Sequence, residues 1–275
     1  WCAVPTDRCE RPVRSFGTFT EDLERMADWL AECGIKTVAM ESTGVYWIPA
    51  FQILERRGFK VVLVNARHVK NVSGRKSDVL DCQWIQRLHS YGLLNASFRP
   101  EDPMCVLRSY IRYRDELVSA RSVQCLHMQK ALQQMNVQLH QVLSDVTGLS
   151  GRRMIEAILG GERDVDTLVE LVDSRVRASK ATVKKALHGD YRAEHLFMLK
   201  CAFELHQTYE DKIAECDRQI VAQLAQLPDR VNLQEKPVPA PKPGRPARRD
   251  QVAGKDLRTE LYRCTGVDLT AIEGI

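Results

Sequence analysis

The chain has 275 residues, of which 44% are hydrophobic, and a formal net charge of +4. This length can bury a sizeable core and predicts about two domains, while so small a charge does not by itself indicate a nucleic-acid partner. Nine cysteines without a Cys-x-x-Cys pair are typical of a reduced cytoplasmic protein, and no apolar run is long enough to span a membrane.

The first hundred residues alternate between strand and helix patterns. Residues 1–5 and 12–16 are predicted as two short strands around a turn. Thr18 and Glu21 have the spacing of a capping box, in front of a helix that Gly34 ends. Residues 36–40 and 59–65 are apolar runs joined by a helical pattern, which predicts two parallel strands with a crossover helix.

Three carboxylates lie where such a sheet would gather them. Glu41 ends the first parallel strand, and Asp78 and Asp81 begin a predicted helix at residues 78–91. Residues three apart lie on one helix face, about 4.5 Å apart along the axis, and sites in parallel sheets form beyond the strand ends. Oxygen ligands suit Mg²⁺ or Mn²⁺. Spacing alone leaves a metal-free surface pair as the alternative.

Two segments are basic without an acidic residue. Residues 60–76 and the proline-rich residues 236–249 each suit a phosphate backbone, or are solvated loops. The nucleic-acid-binding candidates in them are Arg67, Lys70, Arg75 and Lys76 in the first segment and Lys242, Arg245, Arg248 and Arg249 in the second. Ser77 is predicted to cap the helix that carries Asp78.

The chain becomes helical after Pro100. A heptad stripe runs through Ile111, Val118, Cys125, Leu132 and Leu139, and the positions three further on include Arg114, Arg121, Met128, Met135 and Val142. A second long helix at residues 193–227 is expected to pack against it, antiparallel, as a coiled coil. Arg114 and Arg121 either form a basic ridge for phosphates or pair with acids of the second helix. His206 is interpreted as a packed histidine.

The segments MESTGVYW and NARHVKNVSGRKSDVLDCQWIQRL, in this order, resemble the DEDD transposases of bacterial insertion sequences, which are related to the Piv-type DNA invertases. The resemblance implies an α/β fold in which an RNase H-like (RuvC-like) domain precedes a long-helix coiled-coil domain. It also implies that Glu41, Asp78 and Asp81 are catalytic metal ligands, the second to fourth members of an Asp-Glu-Asp-Asp tetrad. The domains are predicted at 1–99 (catalytic), 100–230 (helical), 231–256 (linker) and 257–275 (start of a C-terminal transposase domain).

The resemblance further implies metal-assisted cleavage and exchange of DNA strands, with DNA and a structured guide RNA as partners and a homo-oligomer joined through the coiled coil. In the family the first aspartate lies on an earlier strand and a serine nucleophile lies in the C-terminal domain. We therefore expect no nucleophile in this chain and no activity from it alone. A metal-dependent nuclease that uses water, or a non-catalytic nucleic-acid-binding remnant, are the alternatives.

Overall fold

The computed structural model describes residues 1–65, 77–240, 251–252 and 255–268. The chain divides into two units, Trp1–Pro100 and Glu101–Ile275, in a helix-rich α/β arrangement. The first unit contains four strands and three helices among its described residues: β1 (Cys2–Ala3), β2 (Val13–Arg14), α1 (Thr20–Glu32), β3 (Thr37–Glu41), α2 (Trp47–Arg56), β4 (Lys60–Val64) and α3 (Asp78–Ser90).

The crossover predicted from the sequence is confirmed. Strands β3 and β4 pair in parallel, with Glu41 opposite Val64, and α2 connects them. Helices α1 and α2 are each followed by a glycine with positive φ, Gly34 at 68° and Gly58 at 83°. Glycine adopts this conformation without the steric cost of a Cβ. The chain can therefore turn directly from each helix into the next strand.

The core of the first unit lies between the helices and the strands. Leu30 of α1 and Leu54 of α2 are buried there, together with Ala27 and Ile53.

The prediction of a capping box at Thr18 is wrong. Phe19 is the N-cap of α1, and no side chain caps that helix end. The first two strands form the predicted antiparallel hairpin, with Ala3 opposite Val13.

The second unit is built on two long helices. Its elements are α4 (Asp102–Gln134), α5 (Leu139–Val142), α6 (Leu149–Leu159), α7 (Val165–Val169), α8 (Lys180–Leu187), α9 (Ala193–Gln226), β5 (Gln251–Val252), β6 (Lys255–Asp256) and α10 (Leu257–Thr265). Helices α4 and α9 run antiparallel, because Arg114 pairs with Asp217 while the later Arg121 pairs with the earlier Glu210. The antiparallel packing is therefore as expected, whereas the coiled-coil geometry stays a prediction.

The sequence pattern predicted a heptad stripe that continues to Val142. In the structure this stripe is divided between two helices. Helix α4 ends at Gln134, and Asn136 has a positive φ of 57°. Leu139 and Val142 belong to the separate helix α5. They are buried in the same apolar cluster as Met128, so the periodicity marks core positions without requiring one continuous helix. Each helix in the described part of the chain is too short or too polar to span a lipid bilayer.

Candidate functional site

One cavity of the first unit brings the three predicted carboxylates together. It has a volume of about 970 Å³ and is lined by residues of β1, β3 and α3. Glu41 contributes from the end of β3, and Asp78 and Asp81 contribute from the first turn of α3. The structure therefore places all three on the same surface of the fold.

The side of α3 that faces this cavity follows the helical repeat. Asp78, Asp81, Cys82, Ile85, Gln86 and His89 all line it, at the three- and four-residue spacings that share one helix face. The Ser77 hydroxyl accepts a hydrogen bond of 3.3 Å from the backbone N–H of Leu80, so the predicted cap is confirmed. Both aspartates lie in the first turn, where the helix dipole stabilises negative charge.

Glu41 is oriented by the turn that follows β3. The hydroxyl of Thr43 donates a hydrogen bond of 2.5 Å to Oε1 of Glu41. The backbone N–H and the hydroxyl of Ser42 both donate to the carbonyl of Val64, at 3.0 and 3.1 Å. These bonds tie the turn to the end of β4. The sequence analysis did not identify Thr43. The signal that could have found it is a hydroxyl residue two positions after a carboxylate at a strand end.

The carboxylates suit a divalent cation in their chemistry, because hard cations prefer oxygen ligands. Within the part of the chain that the structure describes, no three His, Cys, Asp or Glu side chains are grouped closely enough to hold a metal ion. Glu41, Asp78 and Asp81 therefore share a cavity but are not gathered into a ligand cluster. A cation bound by all three would have to draw their side chains together.

Two other polar residues of the cavity, His89 and Cys82, have structural partners. Nε2 of His89 lies 3.0 Å from the hydroxyl of Thr37, which joins α3 to the start of β3. The Cys82 thiol donates to the carbonyl of Val79 at 3.1 Å, and burial raises the pKa of Cys82. Since a protonated thiol is a poor nucleophile, the interpretation of Cys82 as a packing residue agrees with its surroundings.

The basic candidates fall into two groups. Eight of them, Arg67, Lys70, Arg75, Lys76, Lys242, Arg245, Arg248 and Arg249, lie outside the described residues. The other two are in ion pairs with α9: Nε of Arg114 lies 2.5 Å from Asp217, and Nη1 of Arg121 lies 3.9 Å from Glu210. A hydrogen bond to Asp217 raises the pKa of Arg114. Of the two interpretations of these arginines, the structure shows the pairing with acids.

Comparison with known families gives a match to the first part of the chain. Residues 3–137 match the family model of the IS110-type DEDD transposases, described as a transposase. The match contains Glu41, Asp78 and Asp81, and it extends from the first hairpin past the end of α4. Searches of the curated proteins and of the solved structures found no match.

Proposed function

We propose that this chain, whose residues 3–137 belong to the IS110-type DEDD transposase family, is an insertion-sequence transposase that cleaves and exchanges DNA strands with the help of a bound divalent metal ion. Glu41, Asp78 and Asp81 are the proposed ligands. The observation that carries the proposal is their arrangement: three carboxylates from two different elements line one cavity.

Each carboxylate has a defined task in this proposal. Asp78 and Asp81, one turn apart on α3, present their oxygens from the same helix face. Glu41 approaches from the strand end, where the hydrogen bond from Thr43 restricts its rotamers. When bound, Mg²⁺ or Mn²⁺ would neutralise charge on a scissile phosphate and stabilise its attacking and leaving oxygens.

The DNA backbone is proposed to be held by the basic segment between β4 and α3. Arg67, Lys70, Arg75 and Lys76 occur there in the sequence, between the end of β4 and the aspartate pair. Cations beside the proposed metal ligands would suit a phosphodiester substrate, because the basic side chains and a bound metal ion would both attract its negative charge.

The nucleophile is not assigned to a serine beside the cavity. The Ser42 hydroxyl donates to the carbonyl of Val64 at 3.1 Å, and the Ser77 hydroxyl caps α3. Both hydroxyls thus have structural roles, which supports a serine nucleophile supplied from elsewhere, as the family resemblance implies. A structured guide RNA and assembly through α4 and α9 are further proposals that rest on that resemblance.

The proposal is tested by strand cleavage, with the protein expressed from its full reading frame. Asp81→Asn and Asp78→Asn should each lower Mg²⁺-dependent cleavage of the element's DNA at least about 100-fold, since even the partners of metal ligands are worth about 10- to 100-fold. Asp7→Asn is the matched control, because Asp7 is 76% exposed in the first turn and pairs only weakly with Arg8, at 3.7 Å. Equal cleavage by Asp81→Asn and Asp7→Asn would refute the assignment.

A further inference from the structure

Helix α10 covers one end of the two long helices of the second unit. Cys264 of α10 belongs to the apolar cluster that contains Leu107 of α4 and Leu224 of α9, and Leu257 and Leu261 pack against this cluster. Cys264 is 6% exposed, and Leu224 is fully buried. Since Leu107 is near the start of α4 and Leu224 is near the end of α9, α10 lies where these two helix termini are neighbours.

The C-terminal end of α9 has no cation of its own. The last carbonyls of a helix lack partners within the helix and carry partial negative charge, which a nearby cation stabilises. Helix α9 is 34 residues long, and its last turn contains no basic residue. These carbonyls therefore depend on groups from another part of the chain.

Arg263 of α10 supplies the missing cation. Its Nη2 donates to the carbonyl of Leu224 at 2.7 Å, and its Nη1 donates to the carbonyl of Leu227 at 3.2 Å. Nε donates to Oε2 of Glu260 at 3.0 Å, and Nη1 also bonds to Asp229. The Arg263 side chain is 16% exposed. Its planar guanidinium thus joins α10, the end of α9 and the segment that follows α9.

Two further groups of α10 bond to the segment that follows α9. The backbone N–H of Arg230 donates to the carbonyl of Arg263 at 2.9 Å. The guanidinium of Arg258 donates to the carbonyl of Pro239 at 2.8 Å and to both carboxylate oxygens of Asp268, at 3.2 and 2.6 Å. These bonds hold α10 from several sides.

Helix α10 is a short helix with a cap at each end. It has nine residues. The Asp256 side chain accepts a hydrogen bond of 3.2 Å from the backbone N–H of Arg258, and Gly266, with a φ of 75°, ends the helix. A helix of this length is marginal in water by itself, so the contacts with α4 and α9 contribute to its stability.

We propose that the end of the α4–α9 pair is a docking surface for one short amphipathic helix, and that α10 is bound there through its own contacts, with Arg263 as the positioning residue. The contacts of α10 are sufficient for this docking. It therefore does not require an unbroken chain between Ala240 and Gln251.

The docking gives α10 a defined place in the chain. The first unit ends at Pro100 and α4 begins at Asp102, so α10 is held at the end of the helix pair where the chain enters from the first unit. Release of α10 would expose the apolar side chains of Leu107 and Leu224 and leave the last carbonyls of α9 without their cation. Neither metal nor DNA takes part, so the test is separate from that of the proposed function.

The test inserts a cleavage site for a sequence-specific protease within residues 241–250 of the 275-residue chain and cleaves the folded protein. We expect the C-terminal fragment to co-elute with the rest of the chain in size-exclusion chromatography, and to separate from it in urea. Arg263→Gln should weaken retention at least about tenfold, because hydrogen bonds to a charged group are the stronger ones. Arg230→Gln is the matched control, since it removes one positive charge from an exposed side chain of the same region.

Two results of this experiment would overturn the proposal. The first is separation of the fragment from the unaltered cleaved chain without urea. The second is equal retention of the fragment in Arg263→Gln and Arg230→Gln, which would show that general charge accounts for the docking.

Hydrogen exchange of the uncleaved chain gives a second measurement. The amides of α10 and the backbone N–H of Arg230, which is bonded to the carbonyl of Arg263, should exchange severalfold faster in Arg263→Gln than in the unaltered chain. Exchange at residues 193–215 of α9 should stay the same, which also shows that the variant is folded. Unchanged exchange in α10 would contradict the role of Arg263.

Discussion

Arg114 and Asp217 form an ion pair between the two long helices, with 2.5 Å between Nε and Oδ1. The Arg114 side chain is 24% exposed and that of Asp217 is 13% exposed. The pair lies beside the apolar residues Leu117 and Ile213, which pack in one cluster. A charge in such a position is stabilised mainly by its partner, because water hydrates it only in part.

We expect Asp217→Asn to lower the free energy of unfolding by about 1–3 kcal/mol, because it leaves a half-buried guanidinium without its counter-charge. Urea unfolding of the purified chain measures this. The control is Glu215→Gln, which breaks the exposed pair between Lys212 and Glu215 on the same helix, at 2.9 Å. That change should cost clearly less than Asp217→Asn, because both partners of the exposed pair are well solvated. Similar costs for the two variants would show that the Arg114–Asp217 pair contributes no more than a surface pair.

His206 should make the chain less stable in mild acid. It is 2% exposed, and its pKa is lowered by burial and then by the charges of Arg152 and Arg121, against a smaller opposing effect of Asp145. The unfolded chain therefore binds the proton more readily. The free energy of unfolding should be unaffected by His206 above the unfolded pKa of about 6.5, and should fall as the pH drops from there through the lowered folded-state pKa.

Urea unfolding between about pH 7.5 and about pH 5.5, roughly one unit either side of that unfolded value, measures the effect. Nδ1 of His206 also lies 3.9 Å from Glu210, and the negative charge of this residue opposes part of the loss of stability in acid. His206→Gln should flatten the pH dependence, whereas His127→Gln, at an exposed position of α4, should preserve it. The same slope in both variants would mean that another group titrates.

DNA affinity should depend on the basic segment ahead of α3. Arg67, Lys70, Arg75 and Lys76 lie outside the described residues, so this prediction rests on the sequence. Replacing all four by glutamine should weaken binding and reduce the slope of log K against log salt by about 0.9 for each phosphate that the protein no longer neutralises. Fluorescence anisotropy over a salt series measures the slope.

The matched control removes four cations from the second unit that are paired with acids: Arg175, Lys180, Lys184 and Lys212. Net charge changes by the same amount in both variants. If the two variants bind DNA with equally reduced affinity and slope, the segment before α3 is a solvated loop and general charge accounts for binding.

The local parts of the fold could be predicted because single residues determine them. Gly34 and Gly58 end two helices, and the valine-rich run at residues 61–64 forms the core of β4. Ser77 caps α3 as expected. By contrast, Thr18 and Glu21 have the spacing of a capping box, yet the helix begins at Thr20. Such motifs are short, and their spacing alone does not decide which residue becomes the N-cap.

Contacts between distant segments could be predicted only in part. The sequence left two interpretations of Arg114 and Arg121 open, a basic ridge for phosphates or pairing with acids of α9, and both arginines are paired with such acids. Arg152 of α6 also pairs with Glu210, and the sequence pattern of the two long helices does not predict this pair because Arg152 lies outside both of them. The grouping of Glu41 with the two aspartates followed from strand order and family resemblance, whereas the Thr43 bond depends on the exact path of a turn.

Metal binding by the 275-residue chain itself tests the central claim most directly. Titration with Mn²⁺, followed by electron paramagnetic resonance of the free ion, should show one saturable site. Asp78→Asn and Asp81→Asn should each weaken that site at least about tenfold, and Asp7→Asn should leave it unchanged. A site of equal affinity in all four proteins, or no saturable site in the unaltered chain, would contradict the assignment of Glu41, Asp78 and Asp81 as metal ligands.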